Sequence, residues 1–375
     1  MTLFATPTAL TQKVAAGAIA GLLAITTAGL PAQPVQDDIR AQQWHLDFLN
    51  IDQVHQISTG KGVIVGVIDT GVDGGHPDLA GRLLPGLDLS FFERPDALED
   101  LDGHGTAMAG LIAANGRALG IAPDATILPV RHSSTGAIGD ARRQAEGIRW
   151  AVDHGATVLC LAFGHPEPDG YLERAIKYAL DHDVVVVAAV GNTPDDEGLV
   201  YPAAYDGVIG AAGIDRDGNH APISVISPAA DLAAPAVRIM TPRARNVIPT
   251  GYASASGTSD ATAIIAGVAA LIRAKYPDLS AEDVINRMIT TADDRGQPGR
   301  DDQYGHGIIN PLAALTADIP PLNPPTTTPP QTQTANPPPA NTNPRPLILT
   351  TLAILFLALL AGAVILTLRR RSSQQ

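Results

Sequence analysis

The chain has 375 residues, 45% of them hydrophobic and 17% charged, the make-up of a globular protein that carries additional apolar segments. With 25 Lys and Arg against 38 Asp and Glu the formal net charge is −13, which excludes a polyanion partner: neutralising phosphates takes clustered cations, so no nucleic-acid partner is expected. The one cysteine, Cys160, excludes an intrachain disulfide and a cysteine-rich metal site, and its place in the apolar run Thr157 to Phe163 predicts a small buried side chain.

Taken in chain order, Lys13 precedes an apolar stretch from Val14 to Leu30 and then Pro31-Ala32-Gln33-Pro34, which reads as a secretory signal peptide over residues 1–32. Residues 33–60 form an N-terminal extension ahead of a domain spanning 61–316. Within that domain strand-like and helix-like segments alternate, the signature of an α/β fold with a mostly parallel central sheet and helices on both faces. Strands are expected at Gly62 to Asp69, Ala125 to Val130, Thr157 to Phe163 and Val184 to Ala189, with shorter ones near Val208 to Ala212 and Asp231 to Ala234. Helices are expected at His104 to Asn115, Gly139 to His154, Tyr171 to His182, Thr258 to Lys275 and, capped by Ser280, Ala281 to Thr291. Residues 317–346 are rich in Pro and Thr, cannot bury apolar area, and read as a spacer. Leu347 to Leu368 carries no charge and is long enough to span a bilayer of about 30 Å as one transmembrane helix. Arg369-Arg370-Arg371 then hold the tail, 369–375, in the cytoplasm and leave the domain outside it.

Three glycine-framed islands carry the chemistry: Val67-Ile68-Asp69-Thr70-Gly71, His104-Gly105-Thr106, and Gly257-Thr258-Ser259-Asp260. Each falls where a strand ends or a helix begins, the place where open parallel sheets gather functional residues. Asp69 closes a hydrophobic strand and needs a donor that an imidazole supplies. In that arrangement His104 takes the proton of Ser259 as general base, and Asp69 fixes the imidazole tautomer. Asn192, just past the strand Val184 to Ala189, is the candidate amide for a developing oxyanion, with the Ser259 backbone N–H as a second donor.

Together, and in the order Asp…His…Ser, these segments resemble the subtilisin-like serine proteases from about Gly60 to Thr316, with Ala233-Ala234-Pro235 and Tyr304 to Pro311 adding to the match. Within that family Gln43-Trp44-His45-Leu46, Asp100-Leu101-Asp102-Gly103-His104, the proline-rich stalk and the terminal span resemble the mycosins, membrane-bound proteases associated with type VII secretion in actinobacteria. The resemblance implies a subtilisin-like three-layer fold and a membrane-anchored, outward-facing endopeptidase with few substrates. Its partners would be protein or peptide substrates, the bilayer through the C-terminal helix, and a type VII secretion membrane complex. It also implies that peptide adds as a strand between Ser133, Ser134 and Gly136 on one side and Ala162, Phe163 and Gly164 on the other, with a side-chain pocket between Phe163-Gly164 and Ala188 to Gly191. The alternative is a structural subunit or cap of a secretion complex in which proteolysis is secondary.

The chain departs from the family pattern at Ala263, where proline is common, at Ala162-Phe163-Gly164 in place of Ser-Leu-Gly, and at Asp260, where an apolar residue is usual. A carboxylate there suits the helix dipole and could tune the site against acidic substrates. The stretch before the first strand is too short for an independent folded propeptide, so Gln36 to Ile57 is expected to pack on the domain rather than thread the cleft. His76 reads as a turn feature, Glu93 to Asp102 as a solvated loop, and Asp195-Asp196-Glu197 as a surface turn that could repel acidic peptides. His132, His154, His182 and His220 lack metal spacing and no twelve-residue calcium loop is present, so no metal and no cofactor is expected.

Overall fold

A computed structural model describes residues 38–90, 94–135 and 139–322. Three one-turn helices lead, α1 (Asp38–Gln42), α2 (Trp44–Phe48) and α3 (Ile51–His55). They are followed by β1 (Ile64–Asp69), β2 (Leu87–Asp88), α4 (His104–Ala113), β3 (Thr126–Arg131), α5 (Ala141–Asp153), β4 (Val158–Leu161), α6 (Gly170–Asp181) and β5 (Val185–Ala189). Then come β6 (Ile209–Ile214), β7 (Leu232–Pro235), β8 (Ile239–Pro242), β9 (Tyr252–Ala255), α7 (Thr258–Lys275), α8 (Ala281–Thr290) and α9 (Pro311–Thr316). The signal peptide, Gly136, Glu93, most of the Pro/Thr-rich spacer, the apolar run 347–368 and the tail lie outside the described residues, among which no helix is long and apolar enough to cross a membrane.

Seven strands pair in the order β2-β3-β1-β4-β5-β6-β7, every pairing parallel, while β8 and β9 form a separate antiparallel hairpin. Strands buried on both faces need apolar residues at every position, and β4 and β5 read Val-Leu-Cys-Leu and Val-Val-Val-Ala-Ala. Alternate side chains feed two cores. Val158, Cys160, Val185 and Val187 face α4, α7 and α8, whereas Leu159, Leu161, Val186 and Ala188 face α5 and α6. The result is three layers. Cys160 is buried in β4 with its thiol pushed up by desolvation.

Side-chain caps set where the helices start. Asp140 accepts from Arg142 N–H, Asp169 from Tyr171 and Leu172 N–H, and Asn310 from Ala313 N–H, while Ser280 and Asp283 form a reciprocal capping box. Sheet order switches direction at β1, with β3 on one side and β4 on the other, so the crevice at the carboxyl ends of β1, β4 and β5 is the place for a site.

The leading helices are part of the core. Leu46, Ile51 and Val54 are fully buried, Gln43 exchanges two hydrogen bonds with the Leu119 backbone (3.0 and 2.9 Å), and the Trp44 indole donates to Val237 O at 3.1 Å. None of these residues lines the crevice.

Candidate active site

Asp69 ends β1 and His104 begins α4, thirty-five positions apart, and the structure brings them into contact. His104 Nδ1 donates to both carboxylate oxygens of Asp69 at 2.8 and 2.9 Å, and Thr70 N–H donates to Oδ1 at 2.8 Å. Asp69 is buried and the ring about a quarter exposed, at 27%. Burial alone raises the Asp69 carboxyl, but the charge and hydrogen bond of His104 bring it below its ordinary value. For His104 burial lowers the imidazole, yet Asp69, followed by Asp260, outweighs burial and the opposing Arg243 charge and pushes it up to about 9.

The contact depends on how closely β1 and α4 approach. Gly103 caps α4 with φ 92, a left-handed conformation that favours glycine, and a Cβ on Gly105 would stand 2.1 Å from Gly71 O. Asp100 locks this junction. Its Oδ1 accepts from Thr70 Oγ1 (2.9 Å), Asp102 N–H (3.1 Å) and Gly103 N–H (2.8 Å), and its Oδ2 from Thr106 N–H (2.9 Å) and Thr106 Oγ1 (2.6 Å). Thr70 Oγ1 in turn accepts from Gly105 N–H at 3.0 Å. The expected solvated loop is therefore wrong at Asp100, which is 1% exposed: five donors satisfy its oxygens, yet burial outweighs them and leaves its carboxyl raised.

Ser259 lies in the first turn of α7, after Gly257, and shares one cavity of about 330 Å³ with Asp69, His104, Asn192, Ala162, Phe163 and Gly164. Its hydroxyl donates to Ala162 O at 3.3 Å and not to His104, so the bond between serine and imidazole is one that remains to be made. Hydrogen bonds of this kind are often long in free enzymes and tighten in the substrate complex. Asn192 follows β5, and its Oδ1 accepts from Thr258 N–H (2.8 Å) and Thr258 Oγ1 (3.2 Å). With the oxygen held by the helix, Nδ2 is the end left for a ligand. The Ser259 N–H, in the first turn of α7, is among the donors that a helix leaves unpaired internally.

Of the expected substrate residues, Ala162, Phe163 and Gly164 line the cavity, whereas Ser133 and Ser134 do not; Thr135 lines it in their place, and Ser133 Oγ is turned to Thr135 O at 2.7 Å. Ala188 and Val190 are buried in the sheet region, so the wall expected from Ala188 to Gly191 is made by Asn192, Asp195 and Asp196. Asp196 is more than a surface turn, for it accepts Asn192 N–H at 2.8 Å.

One residue of the site, His132, escaped the sequence reading, and Asp260, which that reading set beside the nucleophile as able to tune the site, proves to be buried. His132, just past β3, lines the cavity with its ring edge-on to Phe163 at 5.3 Å, and burial holds its imidazole down at about 4. Asp260 is 2% exposed and its Oδ2 has no hydrogen-bond partner, so burial raises it to about 7 against the opposing charges of Arg243 and His104. The first-turn position that suits the helix dipole is thus buried instead of open to solvent.

Residues 60–307 match the peptidase S8, or subtilase, family. The chain belongs to that family. It is 35% identical over 273 residues to a thermostable alkaline protease of Halalkalibacterium halodurans, covering 71% of this chain and 72% of that one. It is also 35% identical over 261 residues to subtilisin DY of Bacillus licheniformis, covering 68% of this chain and 91% of the other. Among solved structures the subtilase resembles MycP1 of Mycobacterium smegmatis, with TM-score 0.68 and 28% identity over 78% of this chain and 88% of that one. It likewise resembles the MycP3 protease from the type VII (ESX-3) secretion system, with TM-score 0.67 and 31% identity over 77% and 91%. The fold is subtilisin-like, the activity is that of a serine endopeptidase, and the structural neighbours include mycosins.

Proposed function

We propose that this subtilase cleaves peptide bonds through an acyl-enzyme on Ser259. His104 Nε2 removes the hydroxyl proton as Oγ attacks the carbonyl carbon, and Asp69 holds the ring with Nδ1 protonated and balances the imidazolium. Asn192 Nδ2 and the Ser259 N–H steady the oxyanion. As the C–N bond breaks, the imidazolium returns its proton to the leaving amine; water then enters by the same base, and hydrolysis of the ester frees Ser259. Substrate runs past Ala162, Phe163 and Gly164 and a backbone stretch at Ser133 to Gly136.

The observation that carries this reading is the two-oxygen grip of Asp69 on His104 Nδ1, 2.8 and 2.9 Å, opening on a cavity that also holds Ser259 and Asn192. Purified full-length protein treated with a serine-directed fluorophosphonate should be labelled at Ser259, with labelling lost in His104→Ala. Labelling elsewhere, or persisting in that variant, would refute it.

The wider role follows the mycosin neighbours and the two apolar ends of the chain: an extracytoplasmic protease held by residues 347–368, acting on proteins of a type VII secretion system. One solved neighbour, MycP1, is described as an essential component of the type VII (ESX-1) secretion system. A Ser259→Ala strain should keep the protein in the membrane fraction while uncleaved precursors of co-secreted proteins accumulate; recovery of the protein from the soluble fraction would overturn the anchoring.

A further inference from the structure

The residue after the nucleophile has no role in the chemistry set out above, yet the fold buries it. Asp260 is 2% exposed in the first turn of α7; its N–H is taken by Gly257 O at 3.0 Å, and its Oδ2 meets no donor. An apolar side chain would fill the same place without the cost of desolvating a carboxylate. A costly group beside a reactive one is a candidate for acting on it.

A second charge stands on the other element that packs at the start of α4. β8 lies along α4: Thr241 Oγ1 donates to Ala107 O at 3.1 Å, and a Cβ on Gly110 would meet the Pro242 ring at 2.6 Å. This carries the next residue, Arg243, to the beginning of α4, where its Nη1 donates to Gly103 O (3.3 Å), one position before His104. The Arg243 Nε is buried without a partner, and no ion pair joins Arg243 to Asp260. Each charge is therefore left to act on its surroundings.

We infer that Asp260 and Arg243 are opposed charges that set how firmly His104 holds its proton, with Asp260 a positioning residue that keeps the base charged and Arg243 its counterweight. The inference rests on the role given to His104 and Ser259 above. The groups whose charge bears on the imidazole are Asp69 at the end of β1, which it contacts, and, through the field, Asp260 in α7, Arg243 beyond β8 and His132 beyond β3. Asp69 and Asp260 favour the imidazolium and Arg243 opposes it. Once ionised, the buried Asp260 carboxylate beside Ser259 favours the charged imidazole, while Arg243, held on Gly103 O next to His104, opposes it. Asp260 thereby delays the appearance of the free base, and the acid limb of the activity profile lies at higher pH than Asp69 alone would set.

The test is the second-order rate of fluorophosphonate labelling against pH in the full-length protein, which needs no knowledge of the natural substrate. Asp260→Asn, an isostere of the neutral acid, should move the acid limb down by about one pH unit, the size expected when one nearby charge is removed. Arg243→Gln should move it up. Thermal unfolding establishes that each variant is folded, a control that the pH limb itself does not depend on. Limbs that coincide with the wild type, or that shift in the same direction in both variants, overturn the inference while leaving Ser259 as the labelled residue. Should Asp260→Asn fail to fold, an upward shift in Arg243→Gln upholds the inference and no shift or a downward one overturns it. Wild-type protein that takes no label at any pH overturns the serine-nucleophile reading itself, and the inference with it.

Discussion

On the β1 and α4 side of the cleft, Asp100 is 1% exposed and its two oxygens take five hydrogen bonds; on the α7 side, Asp260 is 2% exposed and its Oδ2 takes none. The same functional group at the same depth serves two purposes. Saturated with donors, a carboxylate is a tie between segments: Asp100 draws the start of α4 and the residue after Asp69 to one point. Left unsaturated, its field is not spent on hydrogen bonds and falls on the neighbours, here the imidazole. Burial by itself does not distinguish the two. The donor count does.

Substitutions can break or sharpen that contrast. The largest effect belongs to the residues on which both sides converge: His104→Ala and Ser259→Ala should each lower kcat by about a million-fold, with the double variant little worse, as found for such a set acting as one unit in a subtilisin. Peptidase assays that show the two losses multiplying would mean that the sides work separately. Next comes stability at Asp260. An ordinary aspartate titrates near 4 when unfolded, and this one near 7 when folded, so its contribution to stability is fully present below about 4 and is lost as pH rises through about 7. Asp260→Asn removes that loss. Its stability advantage over the wild type should open between those pH values and level off at about 4 kcal/mol or less, read by denaturant titration across the range. A constant gap would show that the carboxyl is not strained by burial. Asn192→Ala should then reduce kcat by about 10²–10³-fold, roughly 3 kcal/mol, the size seen for such a donor in a subtilisin, with KM little changed and the melting temperature lowered because the buried Thr258 N–H loses its acceptor. The smallest effect sharpens the other half: Asp100→Asn exchanges one acceptor oxygen for an amide facing N–H donors and should cost about 2 kcal/mol of stability at acid pH, and less as pH rises, because burial raises the Asp100 carboxyl.

Much of this was legible in the amino-acid sequence. The islands around Asp69, His104 and Ser259 announce themselves by their framing glycines, of which Gly71 takes a left-handed φ of 95 and Gly105 leaves no room for a Cβ, and the buried strands because Val158 to Leu161 and Val185 to Ala189 carry no polar residue. Helix bounds matched to within a few residues where a cap such as Ser280 or Asp169 marks the start. Illegible were features whose cause lies far along the chain. Asp100 looks like one more acid in an acidic loop, and only the return of Thr70 to its side makes it an interior group. The orientation of Asn192 is decided by Thr258, sixty-six positions away. The hairpin of β8 and β9 is four residues a side, too brief for a periodicity to show, and it is this hairpin that delivers Arg243. Asp260 reads as a good helix-start residue because local pattern reports the helix end and is blind to what packs over it.

The three short helices ahead of β1 also bear on how the molecule can be cut. Leu46, Ile51 and Val54 are as dry as the sheet, and the Trp44 indole is tied to the backbone of Val237 between β7 and β8. A detachable inhibitor would leave a finished surface behind when shed; severing this segment between Trp44 and Val54 would instead tear open the interior and leave an apolar wound on the body of the enzyme. The leading segment is thus masonry and not a latch, and maturation that spares the fold has to take place upstream of it.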